Sequence, residues 1–276
     1  MPLDDRSDRL AYVEADLNYL VPMAGKPVNY NYPPPDGVPW RTAEYKPERV
    51  RVHDARPLLG ELSLDKQGFA LAPCQAPAVD WYDPAVVKAT YYPAMEALVR
   101  ETTGARRVLC FDHIVRHAPR AQVKLNGIKG PAQRVHNDYT ENSGPQRVRD
   151  LLPAEAEALL QRRFAVVNVW RVLHGPLHDS PLALCDARTI APADLVDTDL
   201  KYPDRTGEIQ SMTPNPAHRW YYFPGMLPSE ALFIKCFDSA KDGCARFAAH
   251  GAFVDPTTPA DAKPRESIEA RTLVFF

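Results

Sequence analysis

Proline sets the terms on which this chain can fold. Its 276 residues include 28 prolines against 13 glycines, about one residue in ten and roughly twice the average usage. Proline lacks the amide donor and fixes its own φ, so helix interiors and central strands exclude it. A chain so punctuated is cut into short segments, which predicts many short strands joined by ordered loops. Between the prolines, hydrophobic residues still make up 45% and charged residues 25%, enough for a sizeable buried core.

The apolar runs follow that expectation. After residue 105, RRVLCFDHIVR (106–116), QRVHNDYT (133–140), FAVVNVWRVL (164–173), ALFIKCFDS (231–239) and IEARTLVFF (268–276) read as strands, with PLALCDART (181–189) a weaker one. Before it, RVRVHDAR (49–56) alternates as a strand does, and NYNYPPPDGVPW (29–40) reads as polyproline-like chain packing its aromatics on something larger. Helices are expected at 84–103, opened by Asp83-Pro84, and at 153–163, which starts on Pro153. The fold class is mainly β with flanking helices, a sandwich or a closed jelly roll. A single domain is expected over 1–276, with an extended and helical region (1–104) packed on a β core (105–276).

Several function classes lose their support. The formal net charge is -2 with no basic run, which argues against nucleic acid or an anionic membrane as partner. No stretch approaches the roughly 20 apolar residues of a membrane span, and the start, MPLDDRSDRL, lacks the basic and apolar regions of a signal peptide. The five cysteines (Cys74, Cys110, Cys185, Cys236, Cys244) form no CxxC pair, so reduced thiols and a cytoplasmic setting are expected. No GxGxxG or GxxxxGK[ST] occurs, which removes the usual sign of a nucleotide fold and of a methyltransferase. A small-molecule substrate is the expected partner, and a homodimer is compatible with all of this.

Chemistry enters at His136 and Asp138. Two residues apart on a strand, they point to one face, and an imidazole beside a carboxylate supplies two ligands of a 2-His-1-carboxylate triad for non-heme Fe(II). Alone, an HxD triplet is weak and reads more readily as a turn or a surface residue pair. A third ligand must come from farther away. His250 is followed by a Pro/Asp-rich loop and then Arg265-Glu-Ser267, and this order, HxD, distal histidine, RxS, is that of many 2-oxoglutarate oxygenases. An arginine fork suits the far carboxylate of that cosubstrate, and a serine two residues on shares the strand face. Arg265, Ser267, Glu269 and Arg271 fall on one face of the last strand, which is either solvated or lines a cavity. His218, in HRWYYFP, is the alternative third ligand; otherwise it is an aromatic-packed structural histidine bonding a backbone carbonyl. Tyr139, Asn168, Trp170 and Arg271 are further candidates for substrate or cosubstrate contact. Arg171 falls on the opposite face from Asn168 and Trp170, as a structural ion-pair partner.

Five blocks taken together carry a resemblance: NYNYPPPDG; VHNDYT with Arg147 and Arg149 following; VVNVWRVLHGPLHDSPLALCDART; HRWYYFPGMLPSEALFIKCFDS; and HGAFVDP with PRESIEARTLVF. From about residue 28 to the end the chain resembles the fungal and bacterial hydroxylase/desaturase family. Its members are called gibberellin A4 desaturase-like, AsaB-type or CmcJ-like, within the Fe(II)/2-oxoglutarate-dependent oxygenase superfamily. The resemblance implies a double-stranded β-helix (jelly-roll, cupin-like) core, with Fe(II), 2-oxoglutarate and O2 as cofactors. It also implies hydroxylation, desaturation or cyclisation of a small secondary metabolite by C–H abstraction. It carries the iron ligands to His136 and Asp138 and the cosubstrate clamp to Arg265. Two rival readings stay open. A metal-dependent cupin that does not use 2-oxoglutarate would not need Arg265 and Ser267. In a non-catalytic jelly-roll binding protein, HND is a loop and RES an exposed edge.

Overall fold

The computed structural model describes residues 9–123 and 128–276; the first eight residues of the acidic N-terminal stretch lie outside them. Its strands, in chain order, are β1 (Tyr12–Leu20), β2 (Val28–Tyr30), β3 (Tyr45–Asp54), β4 (Phe69–Pro73), β5 (Arg107–His117), β6 (His136–Asn137), β7 (Phe164–Val172), β8 (Leu182–Cys185), β9 (Leu195–Lys201), β10 (Thr206–Met212), β11 (Trp220–Tyr222), β12 (Glu230–Asp238), β13 (His250–Ala252) and β14 (Glu266–Phe275). They form a nine-stranded sheet in the order β1-β3-β11-β8-β13-β6-β10-β9-β2 and a five-stranded sheet in the order β4-β12-β7-β14-β5. The sheets curl into a jelly-roll core.

The core lies between the sheets. Leu182, Leu184 and Tyr221 of the large sheet meet Val166, Trp170, Leu232, Ile234 and Leu273 of the small one. The other side of the small sheet, with Val167, Val169, Phe233, Ile268 and Ala270, is covered by Val87, Tyr91, Met95 and Val99. Strand β7 is therefore enclosed on both faces, and all nine of its residues are buried, which is why it reads as a continuous apolar run rather than an alternation.

The covering helix begins at Pro84, where the Asp83 carboxylate accepts from the Ala85 and Val86 amides. It widens to a π-helical turn at Val87–Tyr91 before the α-helix Tyr92–Thr103. Pro93 accounts for the widening, since its ring would clash with the carbonyl four residues back in a regular helix. Gly104, at φ 69°, ends the helix in the left-handed conformation that other residues adopt only at a cost.

Several sequence expectations need correcting. Residues 133–140 supply only a two-residue strand, β6, because Asp138 and Tyr139 already lead into a turn. The helix expected at 153–163 is five residues, Ala156–Leu160, a connector into β7. A longer helix, Ser143–Leu151, precedes it, and nothing in the apolar spacing announced it. The N-terminal region does more than pack on the core: β1 and β3 pair over nine residues at one edge of the large sheet, and β4 joins the small sheet. The 29–40 segment pairs briefly, β2 running parallel to β9. Among the described residues Arg171 has no ion-pair partner; it donates to the Pro228 carbonyl at 2.5 Å and lies over the Tyr91 ring.

The helix Ser143–Leu151 sits close to the core. A Cβ on Gly144 would lie 2.9 Å from Phe237 Cγ, and overpacking of this kind costs about 1–3 kcal/mol. Gly144→Ala should lower the urea midpoint accordingly. Gly60→Ala, which meets nothing within 4 Å, should stay within about 0.5 kcal/mol of wild type.

Candidate metal centre

Strands β6 and β13 are neighbours, and His136 and His250 are direct register partners. Residues opposite each other in an antiparallel pair project from the same face, so the two imidazoles meet, with ring centroids 4.7 Å apart. Each Nδ1 faces a backbone carbonyl two residues upstream: His136 that of Arg134 at 2.8 Å, His250 that of Ala248 at 3.0 Å. A carbonyl only accepts, so Nδ1 carries the hydrogen in both rings. In the neutral tautomer Nε2 then keeps its lone pair, the state a metal ligand needs. Asp138 Oδ1 lies 3.4 Å from His136 Nε2. One ligand atom from each of His136, Asp138 and His250 falls within 4.8 Å of the others.

The electrostatics suit a cation. Burial alone would push the Asp138 carboxyl up, but the Arg271 guanidinium and His136 override it and hold the group well below the usual carboxylate range. Burial, and then His136, push the His250 imidazole down. The carboxylate is thus ionised and His250 neutral at physiological pH. The far oxygen of Asp138 is held separately: Asn168 Nδ2 donates to Oδ2 at 2.6 Å, and Arg271 Nη2 lies 3.5 Å from it.

The inner face of β14 presents Ser267, Glu269 and Arg271 beside Val172, Trp170 and Asn168 of β7, with Arg265 immediately before the strand. Arg265 is 2% exposed. Its guanidinium lies 5.5 Å from the Trp170 ring centroid, and its Nη1 donates to the Ser180 carbonyl at 2.5 Å. Arg265 Nε and the Ser267 hydroxyl are buried without a hydrogen-bond partner among the described residues. Burial pushes the Arg265 pKa down to about 9. A buried guanidinium beside an unbonded hydroxyl is costly unless an anion occupies the space between them.

The structure thus brings His136, Asp138 and His250 together, with Asn168, Trp170, Arg265, Ser267 and Arg271 around them. Tyr139 is buried in the core next to Arg147. His218 stands elsewhere: its Nδ1 bonds the Tyr19 hydroxyl at 3.1 Å and its Nε2 bonds Asp194 at 3.0 Å, with Tyr19 stacked on the ring. Both its nitrogens are used, on side chains rather than on the backbone carbonyl expected. Sequence reasoning missed Asn137. It points away from the ligands, is fully buried, and donates to the carbonyls of Tyr139 (2.6 Å) and Cys236 (3.0 Å) and to Gln210 Oε1 (3.0 Å). Its place between two candidate ligands was the available signal. A second acidic group, Asp65, Asp238 and Cys244, is taken up by Lys235 and Arg163, which pair with both carboxylates.

Residues 17–275 match the family model described as "Oxidoreductase/YMDC permease-like domain". The Fe(II)/2-oxoglutarate-dependent dioxygenase nvfI of Aspergillus novofumigatus is 35% identical over 96% of this chain and 97% of its own. The hydroxylase/desaturase efuI of Hormonema carpetanum is 35% identical over 84% of this chain and 85% of its own. This chain belongs to the Fe(II)- and 2-oxoglutarate-dependent oxygenases. The solved structure of the iron and alpha-ketoglutarate-dependent endoperoxidase NvfI superposes with a TM-score of 0.85 at 32% identity, covering 97% of this chain and 98% of that one. A second NvfI structure, in a different conformation, gives 0.86 at 31% identity, covering 96% of this chain and 98% of that one. The oxygenase uses Fe(II), 2-oxoglutarate and O2, which sets aside the rival readings as a cupin without 2-oxoglutarate, a non-catalytic jelly roll or a methyltransferase.

The spacing of the two imidazoles depends on Gly251. A Cβ there would meet Val135 Cγ1 at 3.2 Å and the Arg134 carbonyl at 3.3 Å, forcing β13 away from β6. Gly251→Ala should weaken Fe(II) binding by roughly tenfold, the lower end of what losing a ligand's support costs. Anaerobic calorimetric titration of the metal-free oxygenase would measure this.

Proposed function

We propose that this oxygenase holds Fe(II) through His136, Asp138 and His250, anchors 2-oxoglutarate on Arg265 and Ser267, and hydroxylates, desaturates or cyclises a small secondary metabolite. The observation that carries this reading is the pair of Nδ1–carbonyl hydrogen bonds, which turn both Nε2 atoms toward Asp138 Oδ1. Three ligands on one face leave positions open for a chelating cosubstrate and oxygen. The bound iron, with these two, supplies the power to take a hydrogen from an unactivated C–H bond.

The chain's own groups do the rest by placement. Arg265 and Ser267 fix the distal carboxylate of 2-oxoglutarate and so set how far its oxo-acid end reaches. Asn168 and Arg271 hold Asp138 Oδ2, so that only Oδ1 is presented to the metal. A bidentate carboxylate would take a position that cosubstrate or oxygen needs. Trp170 and the surrounding core residues exclude water from Arg265, which strengthens its hold on an anion. Hydroxylation, desaturation and ring closure differ in how the substrate carbon is aimed, a matter of about an ångström.

Anaerobic addition of Fe(II) and 2-oxoglutarate should produce the weak visible charge-transfer absorption of the chelate. His136→Ala and His250→Ala should abolish it, and His218→Ala should keep it. Loss in His218→Ala with retention in His250→Ala would reverse the ligand assignment. Chelation of the metal should stop 2-oxoglutarate turnover, and Fe(II), not Zn(II), should restore it.

A further inference from the structure

Three arginines face the same interior wall. Arg271 belongs to the inner face of β14, and Arg265 immediately precedes the strand. Arg116, on the adjacent β5, is the register partner of Ser267 and therefore projects from that same face. Their partners differ. Arg271 lies near three carboxylates: Asp138 at 3.5 Å, Glu269 at 3.2 Å and Asp112 at 3.4 Å. Arg116 donates from Nη1 to the Gly130 carbonyl at 2.9 Å, and the Arg265 guanidinium donates to the Ser180 carbonyl. Among the described residues neither of these two guanidiniums bonds a carboxylate. Ser267, opposite Arg116 and two residues after Arg265, has its hydroxyl buried without a partner, as is Arg265 Nε. The two cations are close enough that Arg116 adds to burial in pushing the Arg265 guanidinium toward deprotonation. Like charges gathered around an unbonded donor lack only an anion.

We propose that Arg116 is a second cation of the cosubstrate clamp, meeting with Arg265 and Ser267 the distal carboxylate of 2-oxoglutarate. The proposal rests on the reading that places that carboxylate at Arg265 and Ser267. A carboxylate has about four lone-pair sites, enough for the Arg265 fork, the serine hydroxyl and one Arg116 N–H. Arg271 is excluded from this role because Asp138 and Glu269 already hold it. The arrangement makes the distal carboxylate the group by which 2-oxoglutarate is told from shorter or uncharged 2-oxo acids.

The test uses the Fe(II)-loaded protein without oxygen, titrated with 2-oxoglutarate and with 2-oxopentanoate, which lacks the distal carboxylate. Binding is read from the charge-transfer absorption. Arg116→Gln should raise the Kd for 2-oxoglutarate roughly ten- to hundredfold, the range for a lost hydrogen bond to a charged group. The Kd for 2-oxopentanoate should move less than about threefold, and Fe(II) affinity without oxo acid should not change. Arg116→Lys should recover part of the preference, and it serves as the test variant should Arg116→Gln not fold. An unchanged Kd for 2-oxoglutarate in Arg116→Gln, with a weakened one in Arg265→Gln, would overturn the role of Arg116 and leave the oxygenase reading standing. Equal weakening toward both oxo acids would also overturn it, since Arg116 would then shape the cavity rather than meet a carboxylate. No weakening in either arginine variant would overturn the Arg265 clamp along with it.

Discussion

The candidate site hangs on one short antiparallel contact, the pairing of β6 with β13 that sets His136 opposite His250. Two residues of strand are too few to hold a register by themselves. What helps to hold it is the residue between two of the candidate ligands: Asn137, fully buried, ties this turn to β10 through Gln210 and to β12 through the Cys236 carbonyl. Gly251 completes the contact by letting β13 approach the backbone of Val135.

Around this contact the protein sorts buried charge by partner. Asp138 and Glu269 are both matched to Arg271, whose guanidinium is held well above its ordinary value despite burial. That compensation keeps Asp138 ionised in an apolar interior and fixes which of its oxygens is free. Arg265 is treated oppositely. It is buried against Trp170 and bonded to one carbonyl, and among the described residues no carboxylate is hydrogen-bonded to its guanidinium. Two arginines six residues apart, one just before β14 and one on it, thus differ in surroundings: Arg271 is matched to Asp138 and Glu269, and Arg265 is bonded to a carbonyl. The difference arises from which carboxylates the neighbouring strands bring near.

How much of this was legible follows from what each feature depends on. The fold class showed in the prolines and short apolar runs, and β5, β7, β12 and β14 showed in their hydrophobicity. Strands β9 and β10, LVDTDLK and TGEIQSM, pair over seven residues but carry too many polar groups to stand out. Their stability comes from pairing, which a single segment does not display. His136 and Asp138 were legible as candidates because their two-residue spacing is local, and His250 only through the Arg265-Glu-Ser267 that follows it; the fold then brings the three together. His218 was a real competitor in sequence and is separated from them only by tertiary structure, which surrounds it with Tyr19, Asp194 and Trp220. Arg116 was invisible for a related reason: the role proposed for it rests on cross-strand register with Ser267, and register is not written in either strand alone.

The same reasoning explains why the polar interior is compatible with a stable jelly roll. A buried cation without a counter-charge costs free energy, and a site with two of them is tolerated only where the surrounding structure over-determines their positions. Here the hydrogen-bonded ladder of β14 between β5 and β7 does so, with pairings along nearly its whole length on both sides. Its outer face is packed under the Pro84–Thr103 helical segment through Ile268, Ala270 and Val274. The strand is thus apolar on the side packed under the helix, and carries Ser267, Glu269 and Arg271 on the side of the candidate metal centre. Because the burden of holding β14 falls on its outer face and its two ladders, Arg265 Nε and the Ser267 hydroxyl can stand without a protein partner on the other side. On the proposed reading, binding of 2-oxoglutarate there to the folded state alone would in turn stabilise the fold, coupling cosubstrate capture to the rigidity of this strand.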